Sequence, residues 1–347
     1  MIDFNQDSQG TLHFHHNLLV AEALASKFNE AESVLCLASD KGGLQLPESA
    51  AVMARHPYAH LLVAYRKGLA SARELGDSPL ALSKLSIKDI DAISLGRLLV
   101  AQDHRLLPTQ DTRQQSFALV PVDASSEARF YANLARLSVT LGSSWSEFIG
   151  ILRTITFVDV ASMPGLPYFS GSWNLTFGAM HMVHSESLPI LAECITHEAA
   201  HTWLSLVDDN DRLASNMWDE ASHWVSPWRE DPRPIGGVVH GTFVFSCVLM
   251  ALNKLLAKAA DKADAEQIRK RIARIASGVM DGLEVLRGSG LLTEAGEKLC
   301  RDSEARLNAT LPAVSNEWTE VRAVSRALHL KKIDALRART GKSNARL

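Results

Sequence analysis

His197 and His201 stand four residues apart in Thr196-His197-Glu198-Ala199-Ala200-His201-Thr202-Trp203, an H-E-x-x-H run with apolar flanks. On a helix, side chains four apart lie one above the other on one face, so both imidazoles reach a single metal ion. Glu198 projects from the same turn, where a carboxylate beside a metal-bound ligand can act as a base. The competing explanation is a core helix that carries two histidines by chance. An apolar helical run with strand-like segments just before it argues for the metal. A third protein ligand is then required, and three residues downstream are candidates: Glu220, with eighteen residues between it and His201, then His223 and His240.

With Glu220 the expectation is a hydrolase. Zinc held by His197, His201 and Glu220 keeps one position open for water, Glu198 takes its proton, and the metal polarises a scissile carbonyl. This spacing from His201 to Glu220 is the one used by a large group of zinc aminopeptidases. Gly178-Ala179-Met180 faintly resembles their exopeptidase strand, but it lacks the following Glu that grips a free amino terminus.

A second expectation comes from the chain beyond the motif. Ser226-Pro227-Trp228-Arg229-Glu230-Asp231-Pro232-Arg233-Pro234 is followed by Gly237-Val238-Val239-His240-Gly241. In this order after H-E-x-x-H, the block resembles the downstream signature of the HExxH-motif peptide-modification proteins. These are the 2-oxoglutarate-dependent HExxH-type peptide β-hydroxylases of ribosomal natural-product pathways. The resemblance extends over about residues 150–260; the flanking helices share only its general character. It implies Fe(II), 2-oxoglutarate and dioxygen, with hydroxylation at a side-chain β-carbon of a precursor peptide. It also implies His240 as third ligand beside His197 and His201, with Glu220 as the other source. Three protein ligands on one face of an octahedral ion leave room for the keto-acid end of 2-oxoglutarate and for dioxygen. The far carboxylate needs a cation, and an Arg fork supplies two parallel charge-assisted bonds. Arg229 and Arg233 are the candidates, on a loop stiffened by Pro232 and Pro234; each is equally suited to a structural ion pair. In an oxygenase Glu198 has no water to activate and instead supports the metal ligands or positions the substrate.

The elements that must hold these residues follow from pattern. Residues 155–160, Ile-Thr-Phe-Val-Asp-Val, are the best strand in the chain, and 117–122 and 177–183 are also strand-like. Residues 164–174 read as a loop. The motif helix begins near Ser185 or Ser187, with Pro189 in its first turn. Such strands before an HExxH helix predict a zincin-like core, whose edge strand borders the cleft and can pair with an extended peptide. His181 and His184 read as satisfied surface histidines rather than extra ligands. Trp203, Trp218, Trp224 and Trp228 read as core or cleft walls. Asp208-Asp209-Asn210-Asp211 lacks the Gly and distal Glu of a calcium loop and reads as a solvated turn.

Residues 17–105 read as helices, 103–112 as a polar loop, and the chain from about His240 to Arg339 as helices again. The expected class is α+β and predominantly helical, a short sheet plus the HExxH helix with flanking helices. The expected regions are 1–110 (helical), 111–260 (catalytic core) and 261–347 (helical, packed on the core). The chain has 347 residues, 46% hydrophobic and 22% charged, with a net charge of −3. With no basic stripe, nucleic acid is not an expected partner. No membrane partner is expected either, since no run of about 18 consecutive apolar residues occurs. The opening residues lack the pattern of a signal peptide. Four scattered cysteines without a C-x-x-C pair suit reduced thiols in the cytoplasm. His13, His15 and His16 read as a polar edge before the first helix rather than a metal site.

Overall fold

The computed structural model describes residues 3–6, 12–15, 25–33, 35, 54–55, 57, 59–60, 98–101, 117–160, 169–172, 176–210, 213–219, 221 and 223–340. The chain divides into two compact units. The first comprises Met1–Asn17, Thr140–Trp145 and Val207–Leu347; the second comprises Leu18–Val139 and Ser146–Leu206. The described residues are mostly helical with a small sheet, an α+β class dominated by helix.

The first unit begins with a hairpin. β1 (Asp3–Gln6) and β2 (Leu12–His15) pair antiparallel, with Asp3 opposite His15 and Gln6 opposite Leu12. His13 and His15 therefore lie on a strand.

The sheet belongs to the second unit and is organised by β5 (Thr154–Val160). Its β-branched residues favour a pleated, packed surface, and Ile155, Phe157 and Val158 are buried. β3 (Leu99–Val100) and β7 (Ala179–Met182) flank it in parallel, Leu99 opposite Thr154 and Thr154 opposite Ala179. β4 (Phe117–Leu119) runs antiparallel to its second half, with Leu119 opposite Val158. β6 (Ser170–Ser172) pairs antiparallel with β7 and ends the order β3-β5-β7-β6. Parallel strands bury both faces, and all four residues of β7 are buried.

Three expectations change here. Leu99–Val100 is a strand although its sequence reads as the end of a helical stretch. β6 lies inside the expected loop; Ser-Gly-Ser has little strand propensity, and pairing with β7 makes the strand. The strand expected over 117–122 stops at Leu119, just before Pro121, which has no N–H for a ladder. The helical pattern expected over 17–105 is met in part by helix over 25–33, whereas most of 36–97 and the loop expected at 103–112 lie outside the described residues.

α1 (Ala124–Leu141) starts on Asp123, whose Oδ1 accepts from the Ser126 N–H at 2.7 Å, and α2 (Ser143–Ile149) follows it. α3 (Leu188–Asn210) is the motif helix, opened by Pro189 in its first turn as expected. Asp208, Asp209 and Asn210 close this helix rather than forming a turn.

Among the described residues, four long α-helices dominate the C-terminal part of the first unit: α4 (Ile235–Ala257), α5 (Lys262–Ser289), α6 (Glu294–Thr310) and α7 (Ser315–Thr340). Asp261 and Thr293 cap α5 and α6 through side-chain oxygens, and Gly290, at φ 66°, ends α5 in the left-handed region. α4 begins at Ile235, five residues before the expected start, so His240 lies inside it. α4 is long and apolar enough to cross a membrane, yet most of it is buried, with α5 and α6 packed against it. Cys194, Cys247 and Cys300 are buried free thiols, and burial pushes Cys300 up to about 12.

Trp228 locks the start of α4 to α5. A methyl on Gly241 would meet its ring at 2.7 Å, and one on Gly278 would meet its Nε1 at 2.6 Å. The same indole stacks on Phe245, with ring centres 5.0 Å apart. Gly278→Ala is therefore expected to cost about 1–3 kcal/mol through overpacking. Gly288→Ala, exposed on the same helix, should instead stabilise by about 0.5–1 kcal/mol. Urea denaturation of the two variants checks this contrast; equal effects would mean that Trp228 does not need the space at Gly278.

Candidate metal site

Most of α3 between Leu191 and Leu206 is buried, but His197, His201 and Ser205 form a less covered line at four-residue spacing. The two imidazoles converge on this line. Their Nε2 atoms are 3.1 Å apart, with ring centres at 4.7 Å and planes at 69°. Metal–nitrogen bonds of about 2.0–2.1 Å put two neighbouring ligands of one ion about 3.0–3.4 Å apart, so the pair fits a divalent cation. Ser205 Oγ donates to the His201 carbonyl at 3.0 Å, and Thr202 Oγ1 donates to that of Glu198 at 2.9 Å. Trp203 anchors the next turn, its indole N–H donating to the Phe148 carbonyl at 2.7 Å.

Glu198 is only 1% exposed. Ser170 Oγ donates to its Oε1 at 2.6 Å, and that oxygen lies 4.0 Å from His197 Nε2. Burial pushes the carboxyl up to about 7, while hydrogen bonds from Ser170 and Ser172 pull it back down. The three-residue strand β6 supplies both hydroxyls because side chains two apart on a strand share a face. Gly171 faces the other way, where His181 lies opposite it in register. A methyl on Gly171 would meet the His181 Nε2 at 2.6 Å, so the glycine makes room for that ring. His181 is thus buried on the sheet face opposite Ser170 and Ser172, not a surface histidine. His184 packs edge-on against Phe157, with ring centres 4.9 Å apart.

The downstream candidates belong to the first unit. The segment from Trp224 to Arg233 is a closed loop, with each residue's N–H donating to the other's carbonyl at 2.8 and 3.0 Å. Inside it Arg229 grips Asp231 through Nε at 2.9 Å and Nη2 at 3.2 Å. Arg233 Nε lies 3.8 Å from the same carboxylate. The neighbouring guanidiniums, that of Arg229 first, hold Asp231 below the usual carboxylate range. Lys332 of α7 donates to the carbonyls of Arg229 and Pro227 at 2.9 and 3.4 Å. His240 is buried on α4, its ring centre 5.3 Å from that of Trp218. Gly236 and Gly237 are needed by this junction: methyls there would meet the Met217 carbonyl at 2.7 Å and Arg233 Cβ at 3.3 Å.

The structure therefore brings together His197, His201 and Glu198, and separately Arg229 and Arg233 around Asp231. Exposed His223 turns Nδ1 toward the Ala221 carbonyl at 3.2 Å, and Glu220 lies outside the described residues. Among the described residues no three His, Cys, Asp or Glu side chains form a metal-binding group. Sequence reasoning missed Ser170, Ser172, Asp231 and Lys332. Only Asp231 carried a signal, as the acid between two arginines in the same motif; the others arrive by pairing or packing over long sequence separations. No protein-family model matches this chain, and no curated protein matches it either.

The Glu198 shift has a measurable consequence in the metal-free protein. Its carboxyl moves from 4.5 to about 7 on folding, so the folded state holds the proton more tightly. The stability from this group is complete below pH 4.5 and is lost as pH rises through about 7. Relative to Glu198→Gln, wild type should lose on the order of 3 kcal/mol across that window in urea denaturation. A pH-independent difference between the two would mean the carboxyl is not desolvated.

Proposed function

We propose that this protein is a metal-dependent oxygenase that hydroxylates a side-chain β-carbon of a ribosomally made precursor peptide, using iron(II) and 2-oxoglutarate. The observation that carries the metal is the pair of imidazoles with Nε2 atoms 3.1 Å apart, beside a buried carboxyl. The resemblance of residues 226–241 to the HExxH-type peptide β-hydroxylases selects this chemistry among metal-dependent ones. We read β4 to β7 with α3 as the centre of a zincin-like core within residues 111–260, flanked by the regions over 1–110 and 261–347. The enzyme works in the cytoplasm on a peptide partner, without nucleic acid or membrane.

His197 and His201 hold the metal, and His240 is the third ligand that the downstream motif offers. When bound, iron(II) with 2-oxoglutarate supplies the activation of dioxygen and the oxidising power. Arg229 and Arg233 bind the far carboxylate of 2-oxoglutarate through a guanidinium fork. Glu198 is held by two hydroxyls, which suits a group that orients its neighbours.

One observation favours a second reading, a zinc metallopeptidase with Glu220 as third ligand. A carboxyl pushed up to about 7 is poised to accept a proton near neutrality, as a general base must. The readings separate in one pair of assays. The oxygenase predicts succinate formation with Fe(II) and 2-oxoglutarate, and a peptide product heavier by about 16 Da, one oxygen atom. Peptide cleavage in anaerobic zinc buffer, with no oxidised product in aerobic iron, would establish the peptidase instead. His240→Ala should abolish metal retention and Glu220→Ala should leave it, as measured by metal content after dialysis; the reverse result reassigns the third ligand.

A further inference from the structure

Asp231 occupies the cationic loop in an unusual way. The Arg229 side chain is 18% exposed, yet the carboxylate it grips is 55% exposed. The neighbouring cation repeats this: Lys332 is 19% exposed and lies 3.4 Å from Glu230, which is 92% exposed. In both pairs the cation is mostly covered by protein while its acid is largely in water. The base under the cations is tied down at several points. The Trp224–Arg233 bridge closes the loop, Trp228 is wedged against Gly241 and Gly278, and Lys332 tethers two of the loop's carbonyls. The acids sit on the exposed tip.

We infer that Asp231 is a built-in stand-in for a ligand carboxylate, and that Arg229 and Arg233, with Lys332 behind them, form a carboxylate-binding site from which Asp231 must be displaced. The contact already made is carboxylate-shaped, since Nε and Nη2 of Arg229 each meet one of the two oxygens. An incoming carboxylate replaces Asp231 oxygen for oxygen, and the displaced side chain rotates into solvent without moving the arginines. Exposed ion pairs of this kind are weak, so the exchange is easy. The acid lowers affinity for the ligand and keeps the guanidiniums paired when the ligand is absent. The inference rests on the oxygenase reading only for naming 2-oxoglutarate as the natural occupant.

The test uses succinate, a dicarboxylate without the keto group, titrated calorimetrically into the metal-free protein. Asp231→Asn should bind it about fivefold more tightly than wild type, the factor set by losing an exposed competing pair. Arg229→Gln added to Asp231→Asn should abolish the gain. Equal or weaker binding by Asp231→Asn, or binding by none of these proteins, overturns the inference. A gain with succinate in Asp231→Asn, but no consumption of 2-oxoglutarate by the iron-loaded wild type, would leave the carboxylate site standing and remove the oxygenase.

Discussion

A carboxyl group buried to the extent of Glu198 has lost nearly all its water, and its charged form survives only where hydrogen-bond donors replace that water. The Ser170–Glu198 contact is the central replacement, and much of the second unit must be in register for it to form. β6 has to pair with β7 so that Ser170 and Ser172 share one face. Gly171 between them has to lack a side chain so that His181 fits on the other. β7 has to be held by β5, and α3 has to direct Glu198 to the sheet while its histidines stay on the less covered line. A one-residue slip of β6 would move both hydroxyls to the wrong face.

The first unit solves a different problem, fixing a polar loop to a nearly all-apolar helix. Glycines at 236, 237, 241 and 278 each admit a specific neighbour: the Met217 backbone, the Arg233 stem, or the Trp228 ring. Much of what looks like a chemical signature in residues 226–241 is therefore packing that gives the arginines a firm base. Charge is arranged on that base, with the acids outermost.

The motif helix, the central strand β5 and the C-terminal helices were legible in the sequence because each has a strong local pattern. Pro189 marks the start of α3, and the β-branched run at 155–160 marks β5. β6 was not legible: Ser-Gly-Ser has no propensity of its own and is a strand only because β7 offers a ladder. α4 starts before its expected position because Gly236 and Gly237, poor helix formers by propensity, are helical residues that close packing requires. The His197–His201 pair was evident from spacing. Ser170, which donates to Glu198 from 28 residues upstream, is brought there only by tertiary pairing.

The central claim is that His197 and His201 hold one metal ion beside Glu198. X-ray absorption spectroscopy of the iron-loaded protein, anaerobically prepared, tests it most directly. The account predicts one iron per chain with imidazole scattering that is lost in the double variant His197→Ala/His201→Ala and kept in Glu198→Gln. Iron bound with unchanged imidazole scattering in the double variant would contradict it.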